Sequence, residues 1–213
     1  MVIVTATSLA DATKSASATV TLTGNASQAF SVTITQSANE WQLTWTAPPD
    51  RPATDWISLS SLDAPNWWGI WTASTEGATS GSFTIPAPLA PGIYELRYIG
   101  PNSYAALARS SPLFFGTAGF AVGVSPAGAT VAAGEPLALA WTAGPGSTSS
   151  GYIGLYPMGT TSDNPLWWEP TSGLPAGTSP GWGAPTTPGA YEFRYIAGNG
   201  YLCLAVSSPI SIP

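Results

Sequence analysis

Two short stretches carry the residues best suited to chemistry. "LDAPNWWGIW" (62–71) holds Trp67, Trp68 and Trp71, with Asp63 and Asn66 just upstream. "SDNPLWWEP" (162–170) holds Trp167 and Trp168 beside Asp163, Asn164 and Glu169. An indole face attracts the C–H face of a pyranose ring, and neighbouring carboxylates and amides bond its hydroxyls. That combination is what a sugar-stacking platform needs. Tyr104 in "NSY" and Tyr201 in "NGY" sit in turn-forming sequence and are candidate rim residues of the same platform. If each doublet is extended, its two rings point to opposite faces. One ring of each pair is then expected inside and its neighbour at least partly exposed. Packing is the competing reading, with the outer ring covering a strand edge or a junction between repeats.

Other chemistries lack their residues. There is no histidine, which removes the usual general base, the Ser-His and Cys-His nucleophile systems and most zinc or copper sites. A glycosidase needs two carboxylates at a defined separation, but the 11 acidic residues are scattered and no pair repeats along the chain. Calcium needs clustered oxygens, and "DAPN" and "SDN" are too thin for that. The reading is therefore non-catalytic, with no cofactor and no metal. The lone Cys203 cannot form an internal disulfide and reads as a small buried hydrophobe.

The elements that must position these residues are strands. Of 213 residues, 23 are Gly and 21 are Pro, a punctuation too dense for long helices and suited to short strands and turns. Charged residues make up 8% and the net charge is −6, with Lys14, Arg51, Arg97, Arg109 and Arg194 as the basic residues. No basic footprint exists for nucleic acid, and anionic membrane surfaces are disfavoured. No apolar run has the length of a membrane span, and no secretory signal is visible after Met1. Richness in Ser, Thr, Ala and Gly suits an extracellular or cell-surface protein, with this chain expected to be part of a longer secreted one.

Internal repetition organises the chain. "PGIYELRYIGPNSYAALARSSP" (91–112) returns as "PGAYEFRYIAGNGYLCLAVSSP" (188–209) at an offset of 97. "LTWTA" (43–47) and "DWISL" (55–59) return as "LAWTA" and "GYIGL" at an offset of 96, and the Trp doublets align at 100. Repeat one spans 29–115 and repeat two 120–213, joined by "GTAG" (116–119), and an inter-repeat contact is expected across that hinge. Strict alternation places Phe30, Val32 and Ile34, then Trp41, Leu43 and Trp45, then Leu137, Leu139 and Trp141 on buried faces. By the same rule Tyr94, Leu96 and Tyr98 face inward while Glu95 and Arg97 face water, as do Glu192 and Arg194. Asp55 is expected to pair with Arg97 or Arg109. The fold class is all-β, two tandem immunoglobulin-like β-sandwiches. Pro-Gly-x-Tyr marks a tyrosine corner, and Leu96 and Phe193 stand where antibody domains carry cysteine.

"DWISL", the Trp-rich segment, "PGIYELRY" and "NSYAALARSSP" resemble the SKICH-type immunoglobulin-like module. Its pattern runs Asp-Trp-Ile-Gly, an aromatic strand, then Pro-Gly-x-Tyr-Glu-Phe-Arg-Tyr. The resemblance covers most of residues 29–213 and implies a protein-binding, localising module rather than a catalyst. Similar modules are accessory domains of large bacterial secreted proteins. Ser58 replaces the pattern's Gly, and Gly151-Tyr152 replace its Asp-Trp, so whatever the Asp does falls to Asp55 alone.

Residues 1–25 belong to neither repeat. They read as a β-hairpin turning near Ala10–Thr13, and resemble the end of a bacterial Big-type immunoglobulin-like domain. Ala16, Ala18, Val20 and Leu22 are expected to share an apolar face with Val2, Val4 and Ala6. Two covers for that face stand open: foldback onto repeat one, or strand addition to another copy, giving a homo-oligomer through 1–25. For the repeats, three readings follow. One is an adhesion or binding module for a glycan or surface protein. Another is a structural spacer or fibre subunit, and the third an accessory domain of a larger secreted enzyme.

Overall fold

The computed structural model describes residues 2–7, 15–20, 29–37, 39–87, 90–101, 104–128, 130–145, 147–198 and 201–213, with 2–7 and 15–20 described as backbone. The turn at Ala10–Thr13, Leu22, "GNASQ" and the Asn-Ser and Asn-Gly turn residues lie outside them. Every regular element among the described residues is a strand.

The hairpin strands β1 (Val2–Thr7) and β2 (Ser15–Val20) form a two-stranded antiparallel sheet. Its register opposes Val2 to Val20, Val4 to Ala18 and Ala6 to Ala16.

In the first module, β3 (Ser31–Gln36), β4 (Glu40–Thr46) and β7 (Ser80–Pro86) make one antiparallel sheet. The second sheet runs β10 (Leu113–Phe115), β8 (Gly92–Ile99), β5 (Trp56–Ser61), β6 (Trp71–Ser74), with β9 (Ala106–Arg109) also on β8. The second module repeats this order. Here β11 (Ala121–Ser125), β12 (Pro136–Thr142) and β15 (Ala176–Gly183) oppose β14 (Trp167–Pro170), β13 (Tyr152–Pro157), β16 (Gly189–Ile196), β17 (Cys203–Val206) and β18 (Ile210–Ile212). The chain crosses between sheets after β4, β6 and β7 in the first module and after β12, β14 and β15 in the second, so it is a tandem of immunoglobulin-like sandwiches.

The strand after β8 breaks into β9 and β10 at "SSP" because proline donates no ladder hydrogen bond. A serine hydroxyl fills the gap in each module: Ser110 Oγ accepts from Leu96 N–H and Ser207 Oγ from Phe193 N–H, both at 3.0 Å.

Alternation builds the cores as expected. Trp41, Leu43 and Trp45 pack with Ile57, Leu59, Tyr94, Leu96 and Tyr98, and Leu137, Leu139 and Trp141 with Ile153, Leu155, Phe193 and Tyr195. Both tyrosine corners form, with Tyr94 donating to Ala90 O at 2.7 Å and Tyr191 to Thr187 O at 2.8 Å. Leu96 and Phe193, at the cysteine position of antibody domains, are fully buried. Trp41 meets Tyr94 and Phe115 edge to face at 5.5 and 5.6 Å.

Two glycines make room for this aromatic volume. Gly81 on β7 lies opposite Trp45, and Gly177 on β15 opposite Trp141. The indole occupies the space a Cβ would take at either position. Gly81→Ala and Gly177→Ala should each destabilise by about 2 kcal/mol or more through overpacking. Calorimetry should read that as a melting temperature lowered by about 5 °C or more. Gly123→Ala, whose Cβ meets only Ala140 O at 3.9 Å, should leave it unchanged.

Candidate functional site

The outer side of β8 is not wet. Arg97 is fully buried and Glu95 is 3% exposed, and in the second module Arg194 and Glu192 are buried too. This corrects the outward, solvated placement that alternation implies. Strand period says which side a residue takes, but not what covers that side. Here the cover is the loop between β5 and β6, residues 62–70, which folds back over its own sheet.

A guanidinium removed from water must find acceptors, and loop carbonyls supply them. Arg97 Nη1 donates to Ala64 O at 2.7 Å, Pro65 O at 3.3 Å and Asn66 Oδ1 at 3.2 Å, and Nη2 to Ser61 O at 3.0 Å. Glu95 Oε1 accepts from Arg97 Nε at 2.8 Å, Arg109 Nη1 at 2.5 Å and the Asp63 amide at 3.3 Å. Burial holds the Arg97 guanidinium below its ordinary pKa, and Glu95 works against that. Arg109 also donates to Asn66 Oδ1 at 3.0 Å. Asp55 pairs with neither Arg97 nor Arg109. It accepts from Arg51 Nε at 2.6 Å and the Tyr98 hydroxyl at 2.9 Å. Where Gly151 replaces it, Tyr195 turns its hydroxyl to Thr171 Oγ1 at 3.3 Å.

The loop therefore presents Trp67 and Trp68 from a turn, with Trp68 N–H donating to Pro65 O at 2.9 Å. The two doublets are not structural counterparts. Trp71 opens β6 opposite Leu59, and Trp167 opens β14 opposite Leu155. Trp71 thus matches Trp167, at the same offset of 96 as the flanking motifs. The loops 62–70 and 158–166 have equal length, and the counterparts of Trp67 and Trp68 are Asp163 and Asn164.

The second module uses its loop in the same way, with one difference. Arg194 Nη1 donates to Thr160 O and Ser162 Oγ, both at 2.9 Å, and its guanidinium lies over the Tyr156 ring at 4.5 Å. Its Nη2 faces Glu192 at 2.8 Å and, across the junction, Asp63 of the first module at 3.3 Å, as ion pairs without hydrogen-bond geometry. Ser162 N–H donates to Asp63 O at 2.7 Å, and Cys203 N–H to Ser61 Oγ at 2.8 Å. Ile93, Ile196 and Cys203 are buried together, with Leu62, Tyr152 and Val206 packed on them.

Tyr201 reaches the first module at this junction. Its ring lies edge-on to Trp67 at 5.9 Å and to Trp68 at 6.0 Å. Burial raises the Tyr152 pKa, and the nearby Tyr201 raises it further. Tyr152 in turn meets Trp168 at 6.1 Å. Trp67 and Trp168 are 57% and 58% exposed, and their neighbours Trp68 and Trp167 are half-buried.

The remaining candidates do other work. Trp167 packs tilted against Trp182, their ring centres 3.9 Å apart, and joins the core, and Trp71 packs on Phe83 at 5.1 Å. Tyr104, at a φ of 49°, meets Trp56 at 6.3 Å. Asp163 accepts from Thr161 Oγ1, Asn164 is exposed, and Glu169 faces Ile153 across the strand pair with Oε2 unpartnered. Sequence reasoning missed Tyr152, Arg97 and Arg194. The repeated Glu-x-Arg on β8 and β16 was the available signal.

No protein-family model matches the chain, and no curated protein matches it. Among solved structures it is similar to the D0-D1 domain of Intimin, at 14% identity and TM-score 0.34 over 87% of this chain and 98% of that one. A second likeness is purple acid phosphatase PPD1 from yellow lupin seeds, at 10% identity and TM-score 0.34 over 80% of this chain and 37% of that one. A third is the FN1-FN3 domains of chicken CNTN1, at 17% identity and TM-score 0.28 over 85% of this chain and 64% of that one. The class of this chain, a tandem immunoglobulin-like protein, rests on its own strand order and tyrosine corners.

Two buried acids, Cys203 at the junction and Tyr94 in the first module's core, generate a pH dependence. Burial pushes the Cys203 thiol and the Tyr94 phenol each up to about 12. Both keep their protons in the fold at pH values where the unfolded chain has released them. Their contribution is full below about pH 8.5, the ordinary thiol value, and falls as pH rises toward about 12. Chemical denaturation across that range should show a declining stability, and Cys203→Ala should flatten the first part of the decline.

Proposed function

We propose that this chain is a non-catalytic, extracellular binding module, part of a longer secreted protein, that recognises glycan through solvent-facing tryptophans. The observation that carries this reading is the exposure of Trp67 and Trp168, 57% and 58%, in a protein that buries Trp41, Trp45 and Trp141 in its cores. An indole left in water forgoes a large apolar burial, and grouped exposed rings mark interaction surfaces. The carboxylates near the site support a non-catalytic role. Glu95, Asp63 and Glu192 each face an arginine, so they are not the free, separated pair that glycoside hydrolysis requires. The SKICH-type resemblance agrees with a recognition module that localises a host protein. Wild-type protein on a glycan array should bind a defined set of sugars, and Trp67→Ala/Trp68→Ala should lose that set. Binding that is absent, or unchanged in the double variant, would refute the glycan reading.

A second reading, a structural spacer or fibre subunit, is favoured by the locked junction, where Asp63, Ser61 and Ile93 of one module hold Arg194, Cys203 and Ile196 of the other. Strand addition through residues 1–25 would then link copies. Deleting residues 1–25 should leave the sedimentation coefficient that of a monomer if the hairpin folds back. Loss of a higher-order species on deletion would establish the assembly role.

A further inference from the structure

We infer that the binding surface is one continuous strip crossing both modules, shaped for an uncharged oligosaccharide chain, with Asp63 and Arg194 as the positioning residues that hold its halves in register. This rests on the glycan reading above. The strip runs Trp67 and Trp68, then Tyr201, then Tyr152, then Trp168. The Tyr201 ring lies 5.9 and 6.0 Å from Trp67 and Trp68, and the Tyr152 ring 6.1 Å from Trp168, while Tyr201 is near enough to Tyr152 to act on its hydroxyl electrostatically. Its first two rings come from the β5–β6 loop of the first module and its last three from the second.

The repeats have diverged at the positions that matter. Asp163 and Asn164 stand in the second module where Trp67 and Trp68 stand in the first, and Thr72 stands where Trp168 would be. Neither module alone carries the strip, and the tandem carries it once. Tyr201 joins the two halves only because the modules are docked, and the Asp63–Arg194 ion pair and the Ser162 N–H to Asp63 O bond are contacts of that same docking.

Charge sets the ligand class. Arg51, Arg97, Arg109 and Arg194 each face a carboxylate, so among the described residues no unpaired cation is offered to an anionic sugar. Asp163 and Asn164 are exposed on the second module's loop, shortly before the Trp167–Trp168 strand in the chain, and can bond hydroxyls of a ligand that reaches that loop. Repulsion from Asp163 and a net charge of −6 disfavour uronates.

Titration calorimetry on the full chain tests this with neutral glucose, xylose and N-acetylglucosamine oligosaccharides, from disaccharides to hexasaccharides, and with oligogalacturonates. Trp67→Ala and Trp168→Ala should each weaken the best hexasaccharide by about tenfold, while disaccharides feel at most one of them. Asp63→Ala, and independently Leu62→Asp to open the junction, should weaken the hexasaccharide and spare disaccharides. Scattering should show separated modules in the Leu62→Asp variant. If Trp168→Ala and both junction variants bind as wild type while Trp67→Ala loses binding, the strip is overturned and the glycan reading stands. If no oligosaccharide binds the wild type, the glycan reading falls with it. Oligogalacturonates binding as tightly as neutral chains would overturn the uncharged class.

Discussion

The site depends on two arginines placed where a sandwich strand ordinarily meets water. Arg97 and Arg194 lie on the outer faces of β8 and β16, yet neither has any exposed surface. A buried guanidinium is tolerated only when its donors are met. Glutamate two residues earlier meets part of that demand and cannot meet it all. The loop that follows β5, and its counterpart after β13, meet much of the rest through main-chain carbonyls and, for Arg194, the Ser162 hydroxyl, which folds each loop flat against its own sheet. The Trp67–Trp68 turn is therefore held by a charge beneath it rather than left as a free loop.

The two modules satisfy the same demand differently, and that difference makes the tandem one object. Arg97 finds partners within its own module, with Asn66 and the shared Glu95–Arg109 contact completing the set. Arg194 has Val206 where Arg109 would be, and Ser162 where Asn66 would be. It turns to Asp63 of the neighbouring module instead. A covering loop thus becomes a docking element. The apolar group of Ile93, Ile196 and Cys203 is buried at the same junction, and the Arg194 side chain is fully buried while that of Asp63 stays 22% exposed.

Aromatic residues divide between frame and surface by strand period and by loop placement. Those at alternating positions, Trp41, Trp45 and Trp141, replace the volume and cross-sheet tie that a disulfide supplies in antibody domains. Gly81 and Gly177 exist to admit two of them. Those on the covering loop or the outer face, Trp67 and Trp168, have no core to enter. Trp167 and Trp168 obey the alternation expected of an extended doublet, one ring packed against Trp182 and the other in solvent. Trp67 and Trp68 do not follow that rule, because a turn rather than a strand carries them.

Local pattern was enough for the frame. Period-two alternation places Leu43, Leu96, Phe193 and Trp141 inside because a strand side chain has only two faces to choose from. Pro-Gly-x-Tyr predicts Tyr94 and Tyr191 reaching back to Ala90 and Thr187 because the corner is closed within four residues. The 96–97 offset exposes the tandem because both copies must solve the same packing problem. The candidate site was legible in its residue types and not in its arrangement. Aligning the doublets as WW with WW was the natural reading, but strand pairing matches Trp71 with Trp167 instead. Glu95, Arg97, Glu192 and Arg194 read as a wet face because their neighbours along the strand say only which side they occupy. Whether that side meets water is decided by a loop returning from β5 and by the other module, contacts between residues 30 or more apart that no local period encodes.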